Sequence, residues 1–165
     1  MKNLISAEDK VPDDFRLVGR VEEMESMFSI LMRQKASSIA IIGPGGVGCS
    51  TLAMGLHATK NDDYAPFDIA NKRFYWLDVE NLFSSHNSNE IIESFSNISK
   101  HLCRSHDNVL IIDNTRGFVD GARANGCESI LNRLMSDIQA RKYQVVMEVN
   151  DTDIPKFYSI HAPGS

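Results

Sequence analysis

Long hydrophobic runs, paired cysteines and an excess of positive charge are all missing from this 165-residue sequence. No apolar run approaches the roughly 18 residues that a membrane-spanning helix needs. The three cysteines form no Cys-x-x-Cys pair, which argues against a zinc site and fits a reducing compartment. A net charge of −5 argues against nucleic acid as a partner. We therefore expect a cytoplasmic protein of single-domain size without a membrane span.

Four apolar runs alternate with helical patterns along the chain. The runs cover residues 37–43, 74–79, 108–114 and 143–150, and helix-like spacing covers residues 22–33, 50–60, 89–104 and 128–142. Such alternation is typical of a parallel sheet with helices on both faces. We predict a three-layer α/β domain of the P-loop type over residues 15–160, with a five-stranded parallel sheet. A polar lead-in (1–14) precedes this domain and a short tail (161–165) follows it.

The sequence GPGGVGCST, at residues 43–51, has the spacing of a phosphate-binding P-loop, G-x-x-x-x-G-K-[ST]. An apolar run precedes it and a helical pattern follows it, as a P-loop requires. In such a loop the backbone N–H groups surround the phosphates at the start of the helix. The candidate nucleotide contacts are Gly43, Gly45, Gly46, Val47, Gly48, Cys49, Ser50 and Thr51.

The lysine of this motif is replaced by Cys49. A P-loop lysine places a full positive charge on the β- and γ-phosphates, and a thiol carries no such charge. A thiol beside a helix N-terminus tends towards a lowered pKa, and the resulting thiolate would repel phosphate. We expect Cys49→Lys to raise the affinity for nucleotide.

NVLIIDNT, at residues 108–115, has the shape of a Walker B strand, with Asp113 at its carboxyl end. Ser50 and Asp113 are therefore the candidate Mg²⁺ ligands, but only if a nucleotide binds. Hydrolysing enzymes of this type usually place a glutamate after the aspartate, and this chain has Asn114, which cannot take a proton from water. The glycines in residues 113–126 predict a mobile contact loop.

In their order and spacing these motifs resemble the AAA+ module of ClpA/ClpB-type ATPases, in its first-ring large subdomain, over about residues 12–158. LVGRVEEME (17–25) looks like the IGR-x-x-E segment of that family, which implies that Val18 and Gly19 border the adenine. VNDT (149–152) falls at sensor 1, which implies that Asn150 is the sensor. The stretch that matches the pore loop has no aromatic residue, and the lid subdomain is expected to be absent.

Because two catalytic groups are missing, the resemblance implies a pseudo-ATPase. The leading hypothesis is a structural or regulatory protein-interaction subunit, homo- or hetero-oligomeric, in a larger assembly such as a transport or secretion machine. It would bind no cofactor, or ATP or ADP with Mg²⁺ weakly. Two alternatives stay open: a slow ATPase whose missing cation comes from a partner, and a nucleotide sensor that does not hydrolyse.

Overall fold

The computed structural model describes residues 3–32, 38–42, 48–61 and 71–149, and only the backbone of residues 38–42 and 61. The described strands are β1 (Leu4–Ser6), β2 (Ser38–Ile42), β3 (Arg73–Leu77), β4 (Asn108–Ile112) and β5 (Gln144–Val149). The described α-helices are α1 (Ala7–Lys10), α2 (Val21–Leu31), α3 (Cys49–Ala58), α4 (Val79–Leu82), α5 (Ser88–Leu102), α6 (Thr115–Ala124) and α7 (Ser129–Gln139). None of these helices is long and apolar enough to cross a membrane.

The five strands form one sheet in the order β1-β3-β4-β5-β2. Strands β2, β5, β4 and β3 are mutually parallel, as the alternation of strands and helices predicted. The prediction of an all-parallel sheet is wrong for β1, which pairs antiparallel with β3 and sets Leu4 opposite Leu77. The lead-in over residues 1–14 therefore contributes an edge strand. Its three residues are too few to show the alternation of apolar and polar side chains that indicates a strand, although Leu4 is buried.

Two hydrophobic clusters cover the two faces of the sheet and make the domain three-layered. On β4, Val109 and Ile111 pack in the cluster that holds α1, α2 and α3. Leu110 and Ile112 pack in the other cluster, with α4 to α7. Successive side chains of a strand point to opposite faces, so a strand covered on both faces reads as one apolar run. This explains why residues 108–112 gave a clear signal in the sequence.

The predicted mobile loop over residues 113–126 is wrong, because most of it is helix α6. Phe118, Val119 and Ala122 are buried on one face of this helix. Its glycine at position 121 permits close packing, since a Cβ there would lie 2.5 Å from the ring of Phe83. The glycines of this segment therefore mark close contacts inside an amphipathic helix, although their number suggested flexibility.

Candidate functional site

The candidate phosphate loop is described from Gly48 onwards. The predicted contacts that lie outside the described residues are Gly43, Gly45, Gly46, Val47 and Asn150. Gly48 is the N-cap of α3, and its carbonyl accepts a hydrogen bond of 3.1 Å from the Leu52 amide. Cys49, Ser50 and Thr51 form the first turn of the helix. Helix α3 therefore begins directly after the last glycine of the predicted loop.

The side chain of Cys49 is fully buried, with 0% exposure. It belongs to the hydrophobic cluster between α1–α3 and the sheet. Burial raises the pKa of the thiol above its ordinary value of 9.0, and the negative charges of Glu148 and Asp113 raise it further. The expectation of a lowered pKa is wrong, because desolvation outweighs the helix N-terminus here. Cys49 is therefore a neutral core residue.

The side chain of Glu148, on β5, contacts the start of α3. Its carboxylate Oε1 accepts a hydrogen bond of 3.0 Å from the backbone N–H of Cys49. Gly48, the N-cap residue, offers no side chain to the exposed amides of the first turn. A side chain 99 residues away in sequence from Cys49 therefore caps the helix.

Ser50, the predicted Mg²⁺ ligand, is hydrogen-bonded to the indole of Trp76. Trp76 Nε1 donates to Ser50 Oγ at 2.8 Å, and the tryptophan is 1% exposed. An indole N–H only donates, so the Ser50 hydroxyl accepts this bond through one of its two lone pairs. The described contacts of Ser50 therefore serve the packing between α3 and β3.

Asp113 and Asn114 directly follow the carboxyl end of β4, the central strand of the sheet. The charge of Asp113 helps to raise the pKa of the Cys49 thiol, which places this carboxylate near the start of α3. Asn114 is the N-cap of α6, and its side-chain oxygen accepts a hydrogen bond of 3.0 Å from the Gly117 amide. The residue at the position of the catalytic glutamate therefore has a local structural role.

Val18 and Gly19, the predicted adenine border, lie on the segment that precedes α2. Val18 is 86% exposed, and Gly19 has a positive φ of 79°. Leu17 packs against the middle of α3, because a Cβ added at Gly55 would lie 3.0 Å from the Leu17 side chain. Leu17 therefore contacts α3, whereas the neighbouring Val18 is exposed to solvent.

These described residues do not fit a bound Mg²⁺–nucleotide. A carboxylate occupies the first amide of α3, and the residue at the lysine position is a buried thiol. Among the described residues, no group of three or more histidine, cysteine or acidic side chains is arranged to hold a metal ion.

Glu148 was missed by sequence reasoning. It is the one residue of β5 that is not buried, and its strand lies inside the sheet. A charged residue within a buried apolar strand needs a partner, and that was the available signal. Trp76 lies within a predicted strand and is buried there, but its hydrogen bond to Ser50 was not predicted, although a buried indole N–H needs an acceptor.

The α/β fold of the chain is similar to that of two solved Hsp104 structures. The chain is similar to the structure titled S. cerevisiae Hsp104:casein complex, with a TM-score of 0.69 and 19% identity over 96% of this chain and 28% of that chain. It is also similar to the S. cerevisiae Hsp104-ADP complex, with a TM-score of 0.72 and 21% identity over 96% of this chain and 22% of that chain.

Curated relatives agree with this fold. The chain is 26% identical over 131 residues to the ATP-dependent Clp protease ATP-binding subunit ClpE of Bacillus subtilis, covering 79% of this chain and 19% of that protein. It is 26% identical over 111 residues to heat shock protein 104 of Schizosaccharomyces pombe, covering 67% of this chain and 12% of that protein. No protein-family model matches the chain. The resemblance to a Clp/Hsp100-type AAA+ module is confirmed, at low identity.

Proposed function

We propose that this chain is a catalytically degenerate AAA+ domain that acts as a structural or regulatory protein-interaction subunit of a larger assembly. The observation that carries the proposal is that both positions of the missing catalytic groups have structural roles. Cys49 is buried in the core, and Asn114 caps α6. Neither side chain can stabilise charge on a transferring phosphate or activate water.

The similar proteins support an assembly role. ClpE is an ATP-binding subunit of an ATP-dependent protease, and one of the similar Hsp104 structures is a complex with casein. This chain spans about a fifth or less of the curated relatives' length, so their full activities do not transfer to it. An assembly that moves other proteins, such as a transport or secretion machine, is the proposed context. The unpaired cysteines at positions 49, 103 and 127 fit a cytoplasmic location.

The stretch that matches the pore loop also favours interaction over threading. In the structure, residues 85–90 lead into α5, and the Asn87 side chain accepts a hydrogen bond of 3.1 Å from the Glu90 amide. Half of this stretch is therefore helix, and its only ring is the exposed His86. It offers no aromatic side chain with which to grip a polypeptide.

Two measurements test the proposal. The purified chain should show no Mg²⁺–ATP turnover above background, and the chain tagged at its own locus should migrate in native gels well above its 18.4 kDa. Turnover near 1 s⁻¹ or faster, a common enzyme rate, would contradict the proposal if Asp113→Asn abolished it. Tight nucleotide binding without turnover would make the chain a sensor, and turnover that needs a purified partner would make it a dependent ATPase. Migration as a free monomer would also contradict the proposal.

A further inference from the structure

We infer that the carboxylate of Glu148 occupies the start of α3, where nucleotide phosphates would bind, and that it excludes them. This inference deepens the proposed function and rests on it, because it concerns how the same degenerate site rejects its former ligand. The absence of a lysine would then be only one of two barriers to nucleotide binding.

The first observation is the hydrogen bond itself. The Cys49 N–H is an amide of the first turn of α3, and such amides bind phosphate oxygens in a P-loop. Here that N–H donates a hydrogen bond to Glu148 Oε1, at 3.0 Å. A carboxylate is a close chemical substitute for a phosphate oxygen at a helix N-terminus, because both are anions stabilised by the same partial positive charge.

The second observation is the space above Gly48. A Cβ added at this glycine would lie 1.8 Å from Glu148 Oε1 and 2.8 Å from its Cδ. The carboxylate therefore lies directly against the glycine backbone. In a phosphate-binding loop, glycine keeps such space open so that the ligand can approach the backbone. In this chain a side chain of the sheet fills it.

The third observation is the charge around this position. The negative charges of Glu148 and Asp113 both raise the pKa of the Cys49 thiol, and Glu148 is in direct contact with the Cys49 amide. An incoming phosphate would have to displace the Glu148 carboxylate and would add its own negative charge to those of the two carboxylates. Like charges at short range disfavour one another strongly in partly buried surroundings. Phosphate is thus opposed by contact and by charge.

The chain carries its own reporter for this site. Trp76 is its single tryptophan, and its indole donates to Ser50, the residue after Cys49. A ligand that displaces Glu148 from the first turn of α3 would alter the surroundings of this indole. Tryptophan emission therefore follows the site without an added label, and calorimetric titration gives an independent affinity.

The experiment titrates Mg²⁺–ATP and, separately, tripolyphosphate, which has no base, into four proteins. These are the unchanged chain, Glu148→Ala, Glu148→Gln, and Glu93→Gln as a control on the exposed face of α5. The unchanged chain and the control should bind both ligands at about millimolar or weaker. Glu148→Ala should bind both about tenfold tighter, a change of about 1.4 kcal/mol. Glu148→Gln should lie between them, because its amide oxygen can still accept from Cys49 but carries no charge.

Unchanged affinity in both Glu148 variants would overturn the inference and leave the carboxylate as a structural cap only. A gain for ATP without a gain for tripolyphosphate would also overturn it, because the effect would then concern the base. If Glu148→Ala fails to fold, as judged by circular dichroism, Glu148→Gln decides the question, since it keeps an acceptor for Cys49. Failure of the proposed function is a separate result, namely ATP turnover or a free monomer in the unchanged chain.

Discussion

Helices α3 and α6 each follow a parallel strand of the sheet, and their first turns are capped in different ways. At α6, Asn114 accepts a hydrogen bond from the amide of Gly117, three residues further along. At α3, Glu148 accepts a hydrogen bond from the amide of Cys49, which is 99 residues away in sequence. One cap is neutral and local, and the other is charged and distant in sequence.

Under the proposed function, the two caps correspond to two ways in which a site can lack catalytic chemistry. At α6, the position of the catalytic residue holds an asparagine that caps its own helix. At α3, the position of the lysine holds a buried cysteine, and Glu148 supplies an anion in the proposed place of the phosphate. Only the second arrangement fills the proposed phosphate position. Substitutions at the two helices can test this distinction.

The largest expected effect is on nucleotide affinity at α3. In Cys49→Lys alone, the new ammonium would lie near Glu148 and Asp113 and pair with them, so affinity for Mg²⁺–ATP should rise by less than about threefold. In Cys49→Lys with Glu148→Ala, the lysine should contribute about 1.5–3 kcal/mol, or one to two decades. Calorimetric titration of both proteins, with Cys49→Met as the uncharged control, measures this.

If Cys49→Lys raised the nucleotide affinity equally with and without Glu148, residues 49 and 148 would act independently, because independent sites contribute additively. That result would contradict the expected coupling between the two residues. The sequence alone predicted that the single substitution restores affinity, and the structure now predicts that it does not. Hydrolysis should stay absent in every variant, since Asn114 still supplies no carboxylate to activate water.

A smaller effect is expected on the stability of α6. Asn114→Ala should lower the free energy of unfolding by about 1 kcal/mol, because the amide of Gly117 loses its acceptor. Asn114→Ser, a matched cap, should stay within about 0.3 kcal/mol of the unchanged chain. Urea unfolding at low and high salt provides the measurement. The cost at α6 should not depend on salt, whereas the cost of Glu148→Ala should shrink, because a charged cap is screened.

A salt-dependent cost for Asn114→Ala would remove the distinction between a neutral and a charged cap. So would a salt-independent cost for Glu148→Ala.

The sequence predicted the elements whose own residues carry the pattern. Four strands and the helices α2, α3, α5 and α7 were found within a few residues of their observed bounds, because each carries a continuous or periodic apolar pattern in its own sequence. Strand β1 was missed, since its order comes from pairing with β3 and three residues carry no period. Helix α6 was missed because Gly117 and Gly121 suggest flexibility when the sequence is read without its contacts.

The site was harder to predict than the fold, and for one physical reason. The positions of Cys49, Asp113 and Asn114 follow from local motifs, so the sequence could name them. Their environments do not, because the Glu148 contact joins two distant parts of the chain. A local rule predicted a lowered pKa for Cys49, and burial reversed it.

The smallest expected effect separates the two caps through the glycines beneath them. A Cβ at Gly48 would lie 1.8 Å from Glu148 Oε1, and a Cβ at Gly117 would lie 2.4 Å from Asn114 Nδ2. Gly48→Ala should cost about 0.5–1 kcal/mol, because Glu148 must move away from the Cys49 amide. Gly117→Ala should be neutral within about 0.5 kcal/mol, because the lost cap is offset by replacing glycine with alanine in a helix.

Combined variants make this last test specific. In the Asn114→Ala background no cap remains to be displaced, so Gly117→Ala should stabilise the chain by about 0.5–1 kcal/mol. In the Glu148→Ala background, Gly48→Ala should lose most of its cost, since the carboxylate that it displaces is gone. Urea unfolding of the two pairs gives all four values. If each glycine substitution has the same effect with and without its capping side chain, the caps do not depend on the glycines. In that case the missing side chain of Gly48 would not be the reason why Glu148 can reach the start of α3.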